Sequence, residues 1–159
     1  MQALHRLAAV RIEVREDGRL ATVLVASDAR TSEAGRVSVL WTGSRHAHVA
    51  RRLPGVPEVA ALSVDPERRG EGVATALLSA VEVLVLGRGR ERVGLAVGTG
   101  NPAARSLYER RGYRDAGLMR FSSPFGPWRD NGRTRHVVEY LVKDLVELDR
   151  PALAVAGCR

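Results

Sequence analysis

The stretch that most constrains this chain is the turn Val64-Asp65-Pro66-Glu67-Arg68-Arg69-Gly70-Glu71-Gly72-Val73-Ala74. An apolar-rich run over residues 59–64 leads into it, and a longer apolar pattern over residues 73–86 leads out. The first run has strand length and the second helix length, so the spacing predicts a strand, a tight turn and the exposed amino end of a helix. Such an end presents unpaired backbone N–H groups and about half a positive charge. It is an anion site, above all for phosphate. Gly70 and Gly72 lack a Cβ, which lets the backbone fold tightly and come close to a ligand. Two other phosphate-binding loops are excluded. A Walker loop needs Gly-Lys followed by Ser or Thr, which the chain lacks, and a dinucleotide fingerprint would need glycine where Thr75 stands.

The rest of the chain supplies a sheet for that turn. Residues 1–10 read as a short helical turn. Residues 11–15 alternate as an edge strand, and residues 20–26 and 36–42 form a hairpin-like pair. Residues 42–57 read as a loop. In residues 58–64 the period of two puts Glu58, Ala60, Leu62 and Val64 on one face. The helix over residues 73–86 carries Ala74, Leu77, Leu78, Val81, Leu84 and Val85 as a broad apolar stripe, so it packs on a sheet. Residues 92–97 read as a strand. Asn101 is a good N-cap, Pro102 suits the first helical position and Gly112 suits the far end, which predicts a helix over residues 102–111. Residues 114–122 read as one strand, 124–134 as a loop, and 137–142 as a last strand. The pattern is a mixed sheet of six to seven strands with helices packed on it, an α/β (α+β) fold in one domain over residues 1–146 with a tail over 147–159.

Composition narrows the function. The 159-residue chain has a net charge of +7, and all but Lys143 of its 25 basic residues are arginine. The arginines are scattered and aromatics are only 4%, so no basic patch with stacking platforms marks a nucleic-acid binder. Nucleic acid and membrane are therefore not expected partners. Cys158 is the one cysteine and makes no internal disulfide, and no signal segment or span is visible, which together point to a cytoplasmic setting. No acidic cluster marks a polycationic acceptor. The last strand and residues 151–156 leave room for a homodimer.

Two segments resemble one family. Arg69-x-x-Gly72-x-Ala74 is similar to the pyrophosphate signature of the GNAT superfamily of N-acetyltransferases, which runs Arg or Gln, two residues, Gly, one residue, Gly or Ala. Downstream, Asn101-Pro102-Ala103-Ala104-Arg105-Ser106-Leu107-Tyr108-Glu109-Arg110-Arg111-Gly112-Tyr113 resembles the superfamily's second hallmark, Asn-x-x-Ala-x-x-Leu-Tyr-x-x-x-Gly-aromatic, at every defined position. The resemblance covers residues 57–113 well. The one or two helices that the superfamily usually places between its first two strands have no counterpart in this sequence.

That resemblance implies acetyl-coenzyme A as cosubstrate, no metal, and acetyl transfer to a primary amine, either a small molecule or a protein N-terminus or lysine. It implies that the backbone of Arg69, Gly70, Glu71, Gly72, Val73 and Ala74 takes the pyrophosphate, with Arg68 or Arg69 adding charge. Leu62, Ser63 and Val64 would line the pantetheine arm against the strand over residues 92–97, with a backbone N–H near Val64 facing the thioester oxygen. Asn101 and Ala104 would also contact the cofactor. Tyr108 is the implied acid for the departing thiolate, since a phenol stays protonated at neutral pH. Glu58 is the candidate base, with His46, His48 or water as alternatives; a carboxylate in that role works best when burial raises its pKa. Cys158 lies far from both motifs, so direct attack in a ternary complex is expected over an acyl-enzyme. Trp41, Phe125 and Trp128 are candidates for the acceptor wall. A non-catalytic acyl-coenzyme A sensor is the alternative, and it has no need of Tyr108.

Overall fold

A computed structural model describes residues 10–125 and 135–146. Trp128, Cys158, the helical turn expected before Val10 and the tail over residues 147–159 lie outside the described residues. The chain begins with β1 (Arg11–Asp17), β2 (Ala21–Ser27) and β3 (Gly35–Leu40), then a short helix α1 (Ala47–Arg52) and β4 (Glu58–Val64). A 3-10 turn (Pro66–Arg68) leads to α2 (Val73–Gly87), followed by β5 (Arg92–Gly98), α3 (Pro102–Arg110), β6 (Arg114–Asp115), β7 (Phe121–Ser123) and β8 (His136–Asp144). These strands build an eight-stranded mixed sheet in the order β1-β2-β3-β4-β5-β8-β6, with β7 also on β8.

The core forms where α2 lies on the sheet. Leu77, Leu78, Val81 and Val85 are fully buried on α2, spaced to one side of a 3.6-residue helix, and they share a cluster with Val37, Val39, Val59, Val93 and Leu95 of the strands. Full burial of each such side chain contributes about 1.5–3 kcal/mol. Ala104, Leu107 and Tyr108 of α3 pack against the same cluster. Arg111, just past α3, donates to Ser79 of α2 at 2.8 Å, so the two helices cover one face of the sheet side by side. At Gly35 the fit is close: an added Cβ would stand 2.8 Å from the Ser63 carbonyl and 3.1 Å from Val73.

The register of β3 on β4 corrects the simple alternation. Ser38 pairs with Ala60 and Arg36 with Ser63, so Val37 stands opposite two residues, Ala61 and Leu62. This is a β-bulge, and Ala61 takes φ 51°, a conformation that L residues rarely adopt. Paired residues share a face, so Glu58, Ala60 and Ser63 point one way and Val59 and Val64 the other, toward α2. Glu58 therefore does not share its face with Val64. The period of two fails because the bulge inserts one residue.

Three other expectations change. Residues 42–57 contain α1, whose Val49 is fully buried. The strand expected over residues 114–122 is two short ones, β6 and β7, each pairing with β8 at a different place. With β5 on its other side, β8 is an interior strand and not a free edge. Trp41 belongs to the core: it is 6% exposed, its Nε1 donates to Thr22 Oγ1 at 2.8 Å, and the Arg88 guanidinium covers its ring at 4.1 Å. Its ring lies under Arg88, which follows the carboxyl end of α2. β1 and β2 are joined by a tight turn at Gly18, whose N–H donates to the Ala21 carbonyl at 2.8 Å, with no helix between them.

Candidate active site

The amino end of α2 has the expected form. Gly72 caps it with φ 84° and Gly70 precedes with φ 77°, both left-handed conformations that glycine adopts without strain. The first intrahelical bond runs from the Ala76 N–H to the Gly72 carbonyl at 3.0 Å. The N–H groups of Val73, Ala74 and Thr75 thus precede the helical ladder, and no side chain caps them. No acidic residue lies in the first turn to oppose an anion.

The two arginines of the turn have different fates. Arg68 is buried, and its guanidinium grips Asp28 Oδ2 at 2.5 Å and Glu71 Oε2 at 2.6 Å. The Arg68 side chain holds the Asp28 carboxyl down at about 2. Asp28 also accepts from the N–H groups of Arg30 and Thr31, at 2.9 and 3.1 Å, which shapes the loop after β2. Arg68 therefore staples the turn to that loop and is spent. Arg69 is exposed and extended, so of the pair it is the one open to a ligand. Glu71 also pairs with Arg30 at 3.3 Å.

Next to this turn the sheet opens. β4 and β5 pair in parallel only at Glu58 with Gly94 and Val59 with Leu95. Beyond Val59 the two strands part, while β5 continues to pair with β8 as far as Gly98. The bulge at Ala61 falls at the same point. Leu62, Ser63 and Val64 consequently face the gap along one side and Ala96, Val97 and Gly98 along the other. The gap runs toward the amino end of α2.

At the closed end of the gap lies a buried polar network. Glu58 is 1% exposed and accepts from Ser44 Oγ at 2.6 Å, Arg45 Nε at 3.2 Å and the Arg45 N–H at 3.4 Å. Burial pushes the Glu58 carboxyl up, but the nearby His46 ring, with Nδ1 3.8 Å from Oε1, the hydrogen bonds from Ser44 and the Arg45 N–H, and the Arg45 charge outweigh it and leave it below the usual range. This differs from the raised value expected for a burial-tuned base: neighbours, absent from any local reading of residues 58–64, decide the sign. His46 is buried between Ser44 Oγ at 3.3 Å and Ser123 Oγ at 2.8 Å, and its ring meets Phe121 and Phe125 edge-on. His48 is exposed against Phe121. Tyr140 closes the network from β8. Its ring lies directly over Gly94, and burial and the Glu58 charge push its hydroxyl well up.

Tyr108 is half-buried on α3, and burial alone raises its phenol. Its ring meets that of Tyr113 edge-on at 5.9 Å. Asn101 caps α3, its Oδ1 accepting the Ala104 N–H at 3.1 Å. The Ala104 N–H is thereby used, whereas among the described residues the Asn101 amide NH2 has no partner. Asp28, Ser44, Arg45, Ser123 and Tyr140 were not legible as site residues. Only Asp28 carried a local signal, as a turn former ahead of Arg30 and Thr31.

The chain belongs to the acetyltransferase (GNAT) family: residues 12–113 match that family. The chain is 42% identical over 64 residues to mycothiol acetyltransferase of Clavibacter sepedonicus, covering 40% of this chain and 21% of that protein. The corresponding protein of Clavibacter michiganensis subsp. michiganensis matches to the same extent. The chain thus spans about a fifth of the length of these curated relatives. The fold is similar to that of mutant forms of the Vibrio cholerae spermidine/spermine N-acetyltransferase SpeG, with a TM-score of 0.61 at 18% identity over 81% of this chain and 67% of that one. The V. cholerae spermidine N-acetyltransferase bound to CoA and spermine gives a TM-score of 0.59 at 19% identity over 80% and 68%. Among the described residues no helix is long and apolar enough to cross a membrane.

Proposed function

We propose that this chain transfers the acetyl group of acetyl-coenzyme A to a primary amine by direct attack in a ternary complex. The observation that carries the reading is the parting of β4 from β5 after Val59, beside the uncapped end of α2. The pyrophosphate fits the free N–H groups of α2 and the turn from Arg69 to Ala74, since the first turn of α2 holds no acidic residue and the Glu71 carboxylate is taken up by Arg68 and Arg30. Leu62, Ser63 and Val64 supply the backbone edge for the pantetheine arm, and Asn101 and Ala104 border it from α3. When bound, the cosubstrate supplies an activated thioester carbonyl. Around it the chain's own groups move protons. Tyr108, kept protonated by burial, hands its proton to the departing sulfur. Glu58 takes the proton that the attacking amine must lose, relayed through the Ser44 hydroxyl that donates to it. The C–S bond breaks as the C–N bond forms, and no side chain carries the acetyl group.

The test is thiol release from acetyl-coenzyme A over a panel of amines. Tyr108→Phe should lower kcat by about 100-fold or more with the acetyl-coenzyme A KM little changed. One observation favours the sensor reading: Glu58 is already hydrogen-bonded and charge-paired, as a purely structural carboxylate would be. Coenzyme A binding with no turnover on any amine, and no loss on Tyr108→Phe, would favour the sensor instead.

A further inference from the structure

Building on the acetyl-transfer reading, we propose that the acceptor amine also carries a carboxylate, and that Arg45 selects it. Three features of the network lead there. The Arg45 guanidinium is fixed at one edge by Glu58, with Nε to Oε2 at 3.2 Å, and on one face by the Phe125 ring at 4.4 Å. Arginine has five N–H donors. Glu58 takes one, and among the described residues the four on the two terminal nitrogens go to no other group. The Arg45 side chain is 38% exposed where Glu58 is 1%, so the unused fork stands at the mouth of the network while the carboxylate is sealed beneath it. A planar fork held by a carboxylate and an aromatic face is preorganised for bidentate capture of a second carboxylate.

Charge argues the same way. Among the described residues Glu58 is the one carboxylate of this cluster, and Arg45 balances it, so they offer a polyamine no surplus of negative charge. His46 is engaged by Ser44 and Ser123 and adds no anionic character. A carboxylate on the acceptor would share the guanidinium and loosen its hold on Glu58. The acceptor's own charge thus increases the basicity of the carboxylate that takes its amine's proton.

Matched acceptors decide the matter: α-amino acids against the amines left when their carboxyl is removed, with spermidine as a polycation. With thiol release as readout, kcat/KM favours the carboxylate-bearing member by about 10- to 100-fold. Arg45→Gln shrinks that gap to within about threefold, and Arg45→Lys retains part of it. The acetyl-coenzyme A KM, which Arg45 does not touch, separates lost recognition from a misfolded variant. Equal rates within pairs, or spermidine as the best acceptor, overturn the proposal. If no amine turns over although coenzyme A binds, the transfer reading itself has failed. Calorimetry of N-acetylated amino acids against N-acetylated amines on the coenzyme A-loaded protein then still judges Arg45. Carboxylate-dependent heat that Arg45→Gln removes supports it, and no heat from either member overturns it.

Discussion

At Gly94 the backbone of β5 lies directly under Tyr140, which sits beside Glu58, and Gly94→Ala tests that contact. A Cβ there would stand 2.6 Å from both Cε1 and the hydroxyl of Tyr140 and 2.9 Å from its Cζ. Tyr140 is 1% exposed and sits on β8 in register with Ala96 of β5, so its ring has little room to retreat. Overpacking of this kind costs about 1–3 kcal/mol. For a domain of this size, where about 1 kcal/mol moves the midpoint by 2–4 °C, that is a fall in Tm of about 2–12 °C. The Tyr140 hydroxyl lies beside Ser44 and Glu58, so the push is felt at the network and kcat should fall with stability. Denaturant titration of Gly94→Ala, Tyr140→Leu and the double variant forms a cycle. Leucine lacks the outer ring atoms, so the second change should recover part of the first, with a coupling of about 1 kcal/mol or more. A loss under about 0.5 kcal/mol for Gly94→Ala, or strict additivity, would refute the reasoning.

Three further outcomes are expected. Gly72→Val forces a β-branched residue into φ 84° at the mouth of the anion site; it should cost about 1–2 kcal/mol in stability and raise the acetyl-coenzyme A KM, and a variant altered only in acceptor KM would contradict the assignment. Gly35→Ala drives a Cβ to 2.8 Å from the Ser63 carbonyl, so saturation curves should show weaker acetyl-coenzyme A binding through a displaced β4 edge, with unchanged curves counting against it. The Glu58 carboxyl is depressed on folding, so it contributes stability that is complete above its ordinary value of 4.5 and is lost as pH falls through the folded value. Acid titrations followed by circular dichroism should therefore show Glu58→Gln less stable near neutrality, yet losing less stability than the parent below about pH 4.5. An equal acid response in both would show that Glu58 is not held as described.

The parts of this molecule that repeat along the chain were readable, and the parts that depend on distant partners were not. The turn from Asp65 to Ala74 could be read because its glycines, its strand and its helix are all local. The capped helix α3 was readable for the same reason: Asn101, Pro102 and Gly112 act within a few residues of one another. The bulge at Ala61 was not, because alanine has no preference for φ 51° and only the pairing of β3 on β4 imposes it. Trp41 read as a ligand-gripping aromatic because its partner Thr22 is nineteen residues away. The direction of the Glu58 shift depends on Ser44, Arg45 and His46, whose approach follows from the path of the chain between β3 and β4. Helix α1 lacks a capping side chain and an apolar stripe, so no signal announced it.

Adjacent arginines in the signature turn show how one residue type can serve shape and charge separately. Arg68 is bound on both sides by Asp28 and Glu71, and Arg69 is left exposed. Were both free, the turn would present more positive charge but no fixed backbone, and each binding event would have to order it. Burying one guanidinium against two carboxylates sets the positions of Gly70 and Gly72 before any ligand arrives, so the N–H groups of α2 are already aimed. The Asp28 carboxyl is held at about 2, so this brace persists at pH values where carboxylates at their ordinary pKa are already protonated. It follows that Arg69→Ala and Arg68→Ala should differ in kind. The first would remove the proposed contact at the phosphate and leave the turn intact. The second leaves Asp28 and Glu71 without their shared partner, so it should loosen the turn itself and be rescued in part by Asp28→Asn. Salt separates them further: an exposed charge contact is screened as ionic strength rises, and a preset backbone is not. Acetyl-coenzyme A binding by Arg69→Ala should therefore be less salt-dependent than in the parent, and binding by Arg68→Ala weaker at every salt concentration.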